Sequence, residues 1–345
     1  MSSDSQTLQP VARAAEDYAP KGFDPLRNFV PPTISPEAAA VYEDYRAFIL
    51  APPPPPPTNE AEFETLYQAG EARGRARADE VARMFQPAIA DISMGGSKVV
   101  EVRPGGYRDD GTVIIHVHGG AFALGSAHSN LPVPIMLAAA TGRRMLSVDY
   151  TVAPKGRWPL VTDQVISVYR AVLSQGTKPE SIGMTGESAG GNIVAASILK
   201  ARDQGLPLPA GAMLVSPLTD LDWGGDTRTT LAEADPVLRP RQIEPCLEAY
   251  ADPAEFMNPY VSPVYGDFGK GFPPLLIQGG TKESLLSDMV RLHRAVRAAE
   301  GDSRLELYEG MPHCFQVAMA DAPEGREALA EQVDFWTRHL RPGKP

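Results

Sequence analysis

The sequence predicts an α/β fold in which a mostly parallel central sheet is flanked by helices and covered by a helical cap. Three observations predict it. From about residue 96, short apolar runs alternate with stretches whose apolar residues recur at helical spacing, and strands written as unbroken apolar runs belong to sheets buried on both faces. A segment at about 218–262, rich in Asp and Pro, breaks that alternation between two strand-like runs. Before the alternation begins, the chain carries two helical patterns separated by a proline run. It therefore divides into an N-terminal arm and helices over 1–90 and an α/β body over 91–345, with an insertion at about 218–262 placed where a contribution to a lid would go.

Each element has a local reason. The first thirty or so residues are polar, punctuated by proline and without periodicity, and read as an arm. Ser35-Pro36-Glu37 supplies an N-cap and a first-turn proline ahead of the helix "AAAVYEDYRAFIL". Six prolines, Pro52 to Pro57, follow as a stiff extended connector; a polyproline ligand for a partner domain is the alternative. Asn59 with Glu62 forms a capping box for a second helix through "AEFETLYQAGEARGRARADEVARMF". Strands then fall at "KVVEVRPGG", "TVIIHV", "RMLSVDY", "SIGMT", "GAMLVS", "PPLLIQGG" and "RLELYE". Helices are expected near 160–175, 189–204, 284–300 and 323–340.

The bulk composition narrows the function. At 345 residues, with 43% hydrophobic and 22% charged residues, the chain is an ordinary soluble globular protein with one large core. No apolar run is long enough for membrane insertion. A net charge of −11 with scattered arginines lacks the basic footprint of a nucleic-acid binder. The start "MSSDSQTLQPVARAAEDYAP" has neither the positive beginning nor the apolar core of a secretory signal, so the expected location is cytoplasmic. Cys246 and Cys314 are too few for a disulfide framework and are expected as free thiols.

Chemistry enters at "MTGESAGGNI", where a strand runs into a helix through Gly186-Glu187-Ser188-Ala189-Gly190. A serine hydroxyl is a weak nucleophile unless it is exposed, rigid and beside a base. The Gly-x-Ser-x-Gly turn gives that exposure, and the helix behind it aims N–H groups at any negative charge that develops there. A Gly-rich turn of this kind can also hold phosphate, but neither Gly-x-Gly-x-x-Gly nor a Gly-Lys-Ser/Thr ending is present at this turn. Upstream, His118-Gly119-Gly120-Ala121 follows a strand and offers amides for the second wall of an oxyanion hole, with the Ala189 amide supplying the first. His116 and His118, two apart on a strand, could instead hold a metal, yet no aspartate and third histidine follow close by.

A base and its acid are required downstream. Of six histidines, His293 and His339 lie in helical patterns beside arginines, whereas His313 in "YEGMPHCFQ" lies on a loop after the last strand and is the candidate base. Glu283 falls in the loop after "PPLLIQGG" and is chosen as the acid over Asp288, which falls a turn into the next helix as an ordinary charge near a helix start. Cys314 is a conceivable alternative nucleophile, but it has no elbow of its own and reads as a packed thiol.

These segments together resemble the bacterial hormone-sensitive-lipase-like esterases, family IV of the lipolytic enzymes, within the α/β-hydrolase fold. The likeness is carried by "HGGAFALGS", "DYTVAPKGRWP", "GESAGGN", "SPLTDL", "NPYVSPVYGDF", "GGTKESLLSD" and "GMPHCF", in that order. It implies that 91–345 is a catalytic domain with a Ser188–His313–Glu283 triad, an oxyanion hole from Gly119, Gly120 and Ala189, a structural Asp149 supporting the oxyanion loop, and a cap built from the N-terminal cap helices over 1–90 plus the cap-contributing insertion at about 218–262. The family commonly has glycine where this chain has Ala121 and Asp where it has Glu187. The implied activity is a serine carboxylesterase acting on short- to medium-chain acyl esters, with no cofactor, no metal and a possible homodimer. A lactone or amide hydrolase is one alternative, and a non-catalytic small-molecule binding protein on the same scaffold is another. Phe122, Leu124, Trp223 and Phe315 are candidates to line the substrate pocket, with plain core packing as their other reading.

Overall fold

A computed structural model describes residues 29–50 and 55–343. Nearly all of the expected arm, and the first half of the proline run, lie outside those residues. Eight strands form one sheet: β1 (Ala88–Met94), β2 (Ser97–Arg103), β3 (Val113–Val117), β4 (Arg144–Val148), β5 (Ile182–Glu187), β6 (Gly211–Val215), β7 (Leu275–Gly280) and β8 (Ser303–Tyr308). Their order is β1-β2-β4-β3-β5-β6-β7-β8. β2 runs antiparallel to β1 and β4, and every pairing from β4 to β8 is parallel. Every residue of β3, β5, β6 and β7 is buried, which is why those segments read as continuous apolar runs rather than as alternations.

Helices α4 (Trp158–Ser174), α5 (Ala189–Asp203) and α8 (Leu286–Ala298) bury Val165, Ile193, Ile198, Leu292 and Val296 against one face of the sheet. The other face is covered by α3 (Pro132–Thr141) and α10 (Pro323–His339), whose Ile135, Leu137, Phe335 and Trp336 pack on Ile114, Met145, Met213 and Leu276. Two N-terminal helices, α1 (Pro36–Leu50) and α2 (Glu60–Phe85), lie outside the sheet. Asn59 caps α2 by accepting from the Glu62 amide, as its sequence requires. Tyr42 of α1 packs with Met311 and Phe315, the latter on the short helix α9 (Phe315–Ala318). The 218–262 segment carries α6 (Thr227–Thr230) and α7 (Pro240–Tyr250).

Topology fixes where a site forms. From β3 the chain moves to β4 on one side, while after β5 it moves to β6 on the other. The carboxyl ends of β3 and β5 are thus neighbours whose following loops part in opposite directions, the switch point at which open parallel sheets bind ligands.

Candidate active site

Ser188 begins where β5 ends. Its backbone is in the left-handed region, with φ 55° and ψ −122°, a conformation that costs an L-residue energy and persists only where the surroundings enforce it. Two glycines make room for it. A Cβ at Gly190 would stand 2.0 Å from the Val117 carbonyl oxygen, and one at Gly186 would stand 2.5 Å from the Gly190 carbonyl carbon. The turn that places the hydroxyl above the sheet edge therefore excludes any side chain at either flank.

His313 arrives from the loop after β8 and Glu283 from the loop after β7. Ser188 Oγ is 3.0 Å from His313 Nε2, and Nδ1 of the same ring is 3.0 Å from Glu283 Oε2. A carboxylate can only accept, so Nδ1–H donates to Glu283 and Nε2 is left to accept the serine proton. Glu283 is fully buried. Its other oxygen accepts from the Gly280 amide at 2.5 Å and from Ser216 Oγ at 2.8 Å. Ser216 Oγ in turn accepts from the Cys314 amide at 3.1 Å, so one hydroxyl ties the acid to the loop carrying the imidazole. Burial works against charging His313, while Cys314 and the Glu283 carboxylate favour it, and the balance lies well above the ordinary imidazole value. Cys314 Sγ stands 3.6 Å from Nε2, but burial pushes its thiol pKa up.

The loop after β3 departs from expectation at one residue. The Gly119 amide is not free: it donates to Glu187 Oε1 at 2.8 Å. The amides of Gly120, Ala121 and Ala189 have no protein acceptor among the described residues. The oxyanion donors expected from Gly119, Gly120 and Ala189 are corrected accordingly, because the buried carboxylate has taken the first of them and the Ala121 amide is the one left open beside Gly120. Gly120, Ala121 and Phe122 all have positive φ, at 111°, 50° and 66°, so the loop is held in a strained form. Asp149 accepts from the Ala127 amide at 3.0 Å further along the same loop.

Other expected residues fall as follows. His116 Nε2 donates to Glu187 Oε2 at 2.9 Å and its Nδ1 meets Ser147 Oγ at 2.8 Å. His118 donates from Nδ1 to the Gly119 carbonyl at 2.8 Å, stacks on Tyr150 and is held neutral by burial. Among the described residues no cluster of His, Cys, Asp and Glu could hold a metal ion. Asp288 is not an ordinary charge at a helix start. It is fully buried, paired with Arg228 at 2.8 Å, and accepts from the Thr219 and Asp220 amides. Phe122 and Phe315 have no surface left to line an open pocket: Phe122 stacks on Tyr250 at 3.9 Å, and Phe315 packs against Tyr308. Trp223 is half-buried against the Arg228 guanidinium at 4.6 Å, and Leu124 is half-buried with its carbonyl under Gly120. A cavity of about 400 Å³ between α2 and the 149–155 segment is lined by Phe63, Tyr67, Asp149 and Tyr150, and neither Ser188 nor those four candidates reach it.

The sequence reading missed Asp235, a buried carboxylate from the 218–262 segment that accepts from Ser284 N and Oγ at 2.8 and 3.0 Å, next to Glu283. Burial pushes its pKa up, against the pull of His313 and of its amide donors. It also missed Ser216 and the Glu187–His116 pair. A charged residue closing an otherwise uncharged strand, as Glu187 does in "SIGMTGE", is the available signal.

A hydroxyl, an imidazole and a carboxylate in line, beside open amides at a helix N-terminus, can transfer a proton off the hydroxyl and stabilise a tetrahedral anion formed on it. Comparisons with known proteins point to hydrolases. Residues 114–317 match the alpha/beta hydrolase fold family. The chain is 33% identical over 264 residues to an esterase of Acinetobacter venetianus, covering 75% of this chain and 86% of that protein. It is 33% identical over 238 residues to an acetyl-hydrolase of Streptomyces hygroscopicus, covering 69% and 79%. Among solved structures it is similar to an esterase from the bacterial hormone-sensitive lipase family, with a TM-score of 0.79 and 29% identity over 89% of this chain and 99% of that one. EstE5 soaked by p-nitrophenyl butyrate gives 0.79 and 30% over 88% and 99%.

Proposed function

This chain belongs to the alpha/beta hydrolase fold family, among the bacterial hormone-sensitive-lipase-like esterases, and from that premise we propose that it is a serine carboxylesterase acting on short- to medium-chain acyl esters through an acyl-enzyme intermediate. Carboxylic ester hydrolysis itself rests on its esterase and acetyl-hydrolase relatives. The observation that carries the serine mechanism is the line Ser188 Oγ, His313, Glu283, with 3.0 Å at both joints.

Ser188 Oγ attacks the ester carbonyl carbon as its proton passes to His313 Nε2. The carbonyl oxygen becomes an oxyanion facing the Gly120, Ala121 and Ala189 amides. The tetrahedral species collapses, the C–O bond to the alcohol breaks, and His313 returns its proton to the leaving alkoxide. Water then adds to the acyl-serine by the same route, with His313 as base, and releases the acid. Glu283 keeps Nδ1 protonated and stabilises the imidazolium that forms in each half. Helices α1 and α2 and the 218–262 segment form the cap over this edge and set which acyl groups enter. The acetyl-hydrolase relative and the p-nitrophenyl butyrate soaked into the EstE5 structure support the choice of short acyl chains.

The test is turnover of p-nitrophenyl esters by Ser188→Ala. Loss of nearly all activity in a variant that melts like the parent is expected. Wild-type turnover by Ser188→Ala overturns the assignment.

A further inference from the structure

The residue before the nucleophile does more than fill the turn. Glu187 closes β5 as a buried carboxylate, the one charged side chain of that strand. Its two oxygens point to different partners: Oε1 accepts from the Gly119 amide at 2.8 Å, and Oε2 accepts from His116 Nε2 at 2.9 Å. His116 pairs in register with Thr185 of β5 on one side and with Ser147 of β4 on the other, and its Nδ1 reaches Ser147 Oγ at 2.8 Å. His116 and Ser147 are both fully buried. A polar strut therefore crosses three adjacent parallel strands and ends on the first amide of the loop that faces Ser188.

From this geometry we infer that Glu187, braced by His116 and Ser147, is the positioning residue that sets the oxyanion hole. The inference rests on the serine-esterase reading above. Three consecutive residues of that loop, Gly120 to Phe122, hold positive φ, and such a segment keeps its form only when its neighbours over-determine it. Fixing the Gly119 N–H on a carboxylate turns that amide away from the substrate and leaves the next two, on Gly120 and Ala121, without protein acceptors and free to meet the oxyanion. Gly119 is held close as well: a Cβ there would come within 2.9 Å of the Glu187 carbonyl oxygen and 3.2 Å of Ser188 Cβ. The strut's own partners are the Gly119 amide, His116 and Ser147, so it acts through the loop. Its effect falls on the tetrahedral species, whose charge those amides meet, and not on ground-state binding.

A pair of nearly isosteric variants separates the strut from mere filling of space. Glu187→Gln keeps an oxygen that accepts from the Gly119 N–H, and Glu187→Met keeps the length and removes the acceptor. With p-nitrophenyl butyrate, Glu187→Met is expected to lose about 10²-fold in kcat with KM within about threefold, the scale of losing one oxyanion donor. Affinity for an alkylboronic acid, which forms a tetrahedral adduct on the serine, should fall by the same factor, whereas Glu187→Gln should stay within about tenfold on both. Ser147→Ala, a small deletion at the far end, carries the test if the methionine variant does not fold, and should lower kcat and boronate affinity together by about threefold. A Glu187→Met or Ser147→Ala protein with unchanged kcat and boronate affinity, while Ser188→Ala is dead, overturns this inference alone. Turnover that survives in Ser188→Ala overturns the esterase reading and this one with it.

Discussion

Glu283→Gln tests the polarity of the proposed triad through one hydrogen atom. Glu283 Oε1 faces two donors, the Gly280 amide and the Ser216 hydroxyl, and Oε2 faces His313 Nδ1. A glutamine at this position has one oxygen and one NH2, and the doubly donated side takes the oxygen, since placing the NH2 there would set two donors against a third. The NH2 then points at Nδ1 and can only donate to it. Nδ1 must become the acceptor, the ring proton moves to Nε2, and that nitrogen can no longer take the proton of Ser188. A wrong-tautomer imidazole in such a triad loses about 10⁴-fold in kcat, or about 5.5 kcal/mol of transition-state stabilisation at about 1.4 kcal/mol per decade. Shape and burial hardly change, so KM and melting temperature should stay close to the parent. The assay is kcat and KM on p-nitrophenyl butyrate, with a slow fluorophosphonate to count reactive serines and a melt to count folded protein. A kcat loss of less than about tenfold in folded Glu283→Gln refutes the tautomer argument.

Two further predictions follow from buried charges. Arg228 and Asp288 form a two-point pair at 2.8 and 3.2 Å with almost no solvent exposure, so Arg228→Met leaves an uncompensated carboxylate and should cost about 3–5 kcal/mol of stability by urea denaturation; a loss under about 1 kcal/mol contradicts the assignment of Asp288 as a structural anchor. For pH dependence, His313 must be neutral to accept the serine proton, so kcat/KM rises with pH through its pKa, which lies above the usual imidazole value. Asp235 adds negative potential that His313 feels, so Asp235→Asn should move the acid limb of the profile to lower pH, and a limb that stays or moves up refutes that sign.

What the sequence revealed and what it hid divide along one physical line. The elbow, the base loop and the acid loop were legible because each is written within a few consecutive residues: Gly186 to Gly190 between a strand and a helix, His313 behind Gly310 and Pro312, Glu283 behind two glycines. The buried strands were legible from their unbroken apolar runs. The Glu187–Gly119 bond joins residues 68 apart and the Arg228–Asp288 pair residues 60 apart, and both depend on strand order and loop path, which no local pattern encodes. For that reason the sequence alone points to Gly119 as an oxyanion donor and to Asp288 as an ordinary charge near a helix start. Helix α3 was missed because "PVPIMLAAAT" is apolar on most of its surface and carries no amphipathic period. Strand β1, "AIADISM", was missed because its Ala, Asp and Ser are poor strand formers and only its last residue is buried. Phe122 and Phe315 were candidates for a pocket wall because aromatic residues near a reactive centre serve cavity and core equally well, and only packing tells them apart.

The 218–262 segment interrupts the alternation of strands and helices, and its contacts reach the loop and helix start that follow Glu283. Asp235 holds Ser284 through both its amide and its hydroxyl. Thr227 accepts from the Ser287 amide and donates to the Ser284 carbonyl, Asp226 accepts from the Ser287 hydroxyl, and Arg228 pairs with Asp288. All of these fall on the five residues that follow Glu283, while Ser216 and Gly280 hold Glu283 from the sheet side. A carboxylate that orients an imidazole has to be fixed more tightly than a loop alone would fix it, and the insertion ties down the residues that follow it, Ser284, Ser287 and Asp288. The same residues that give the chain an element out of place in an alternating α/β pattern thereby keep Glu283 at hydrogen-bonding distance from His313. A displacement of this segment acts on the loop that carries the acid, so access through the proposed cap and the geometry of the proposed triad are mechanically one problem.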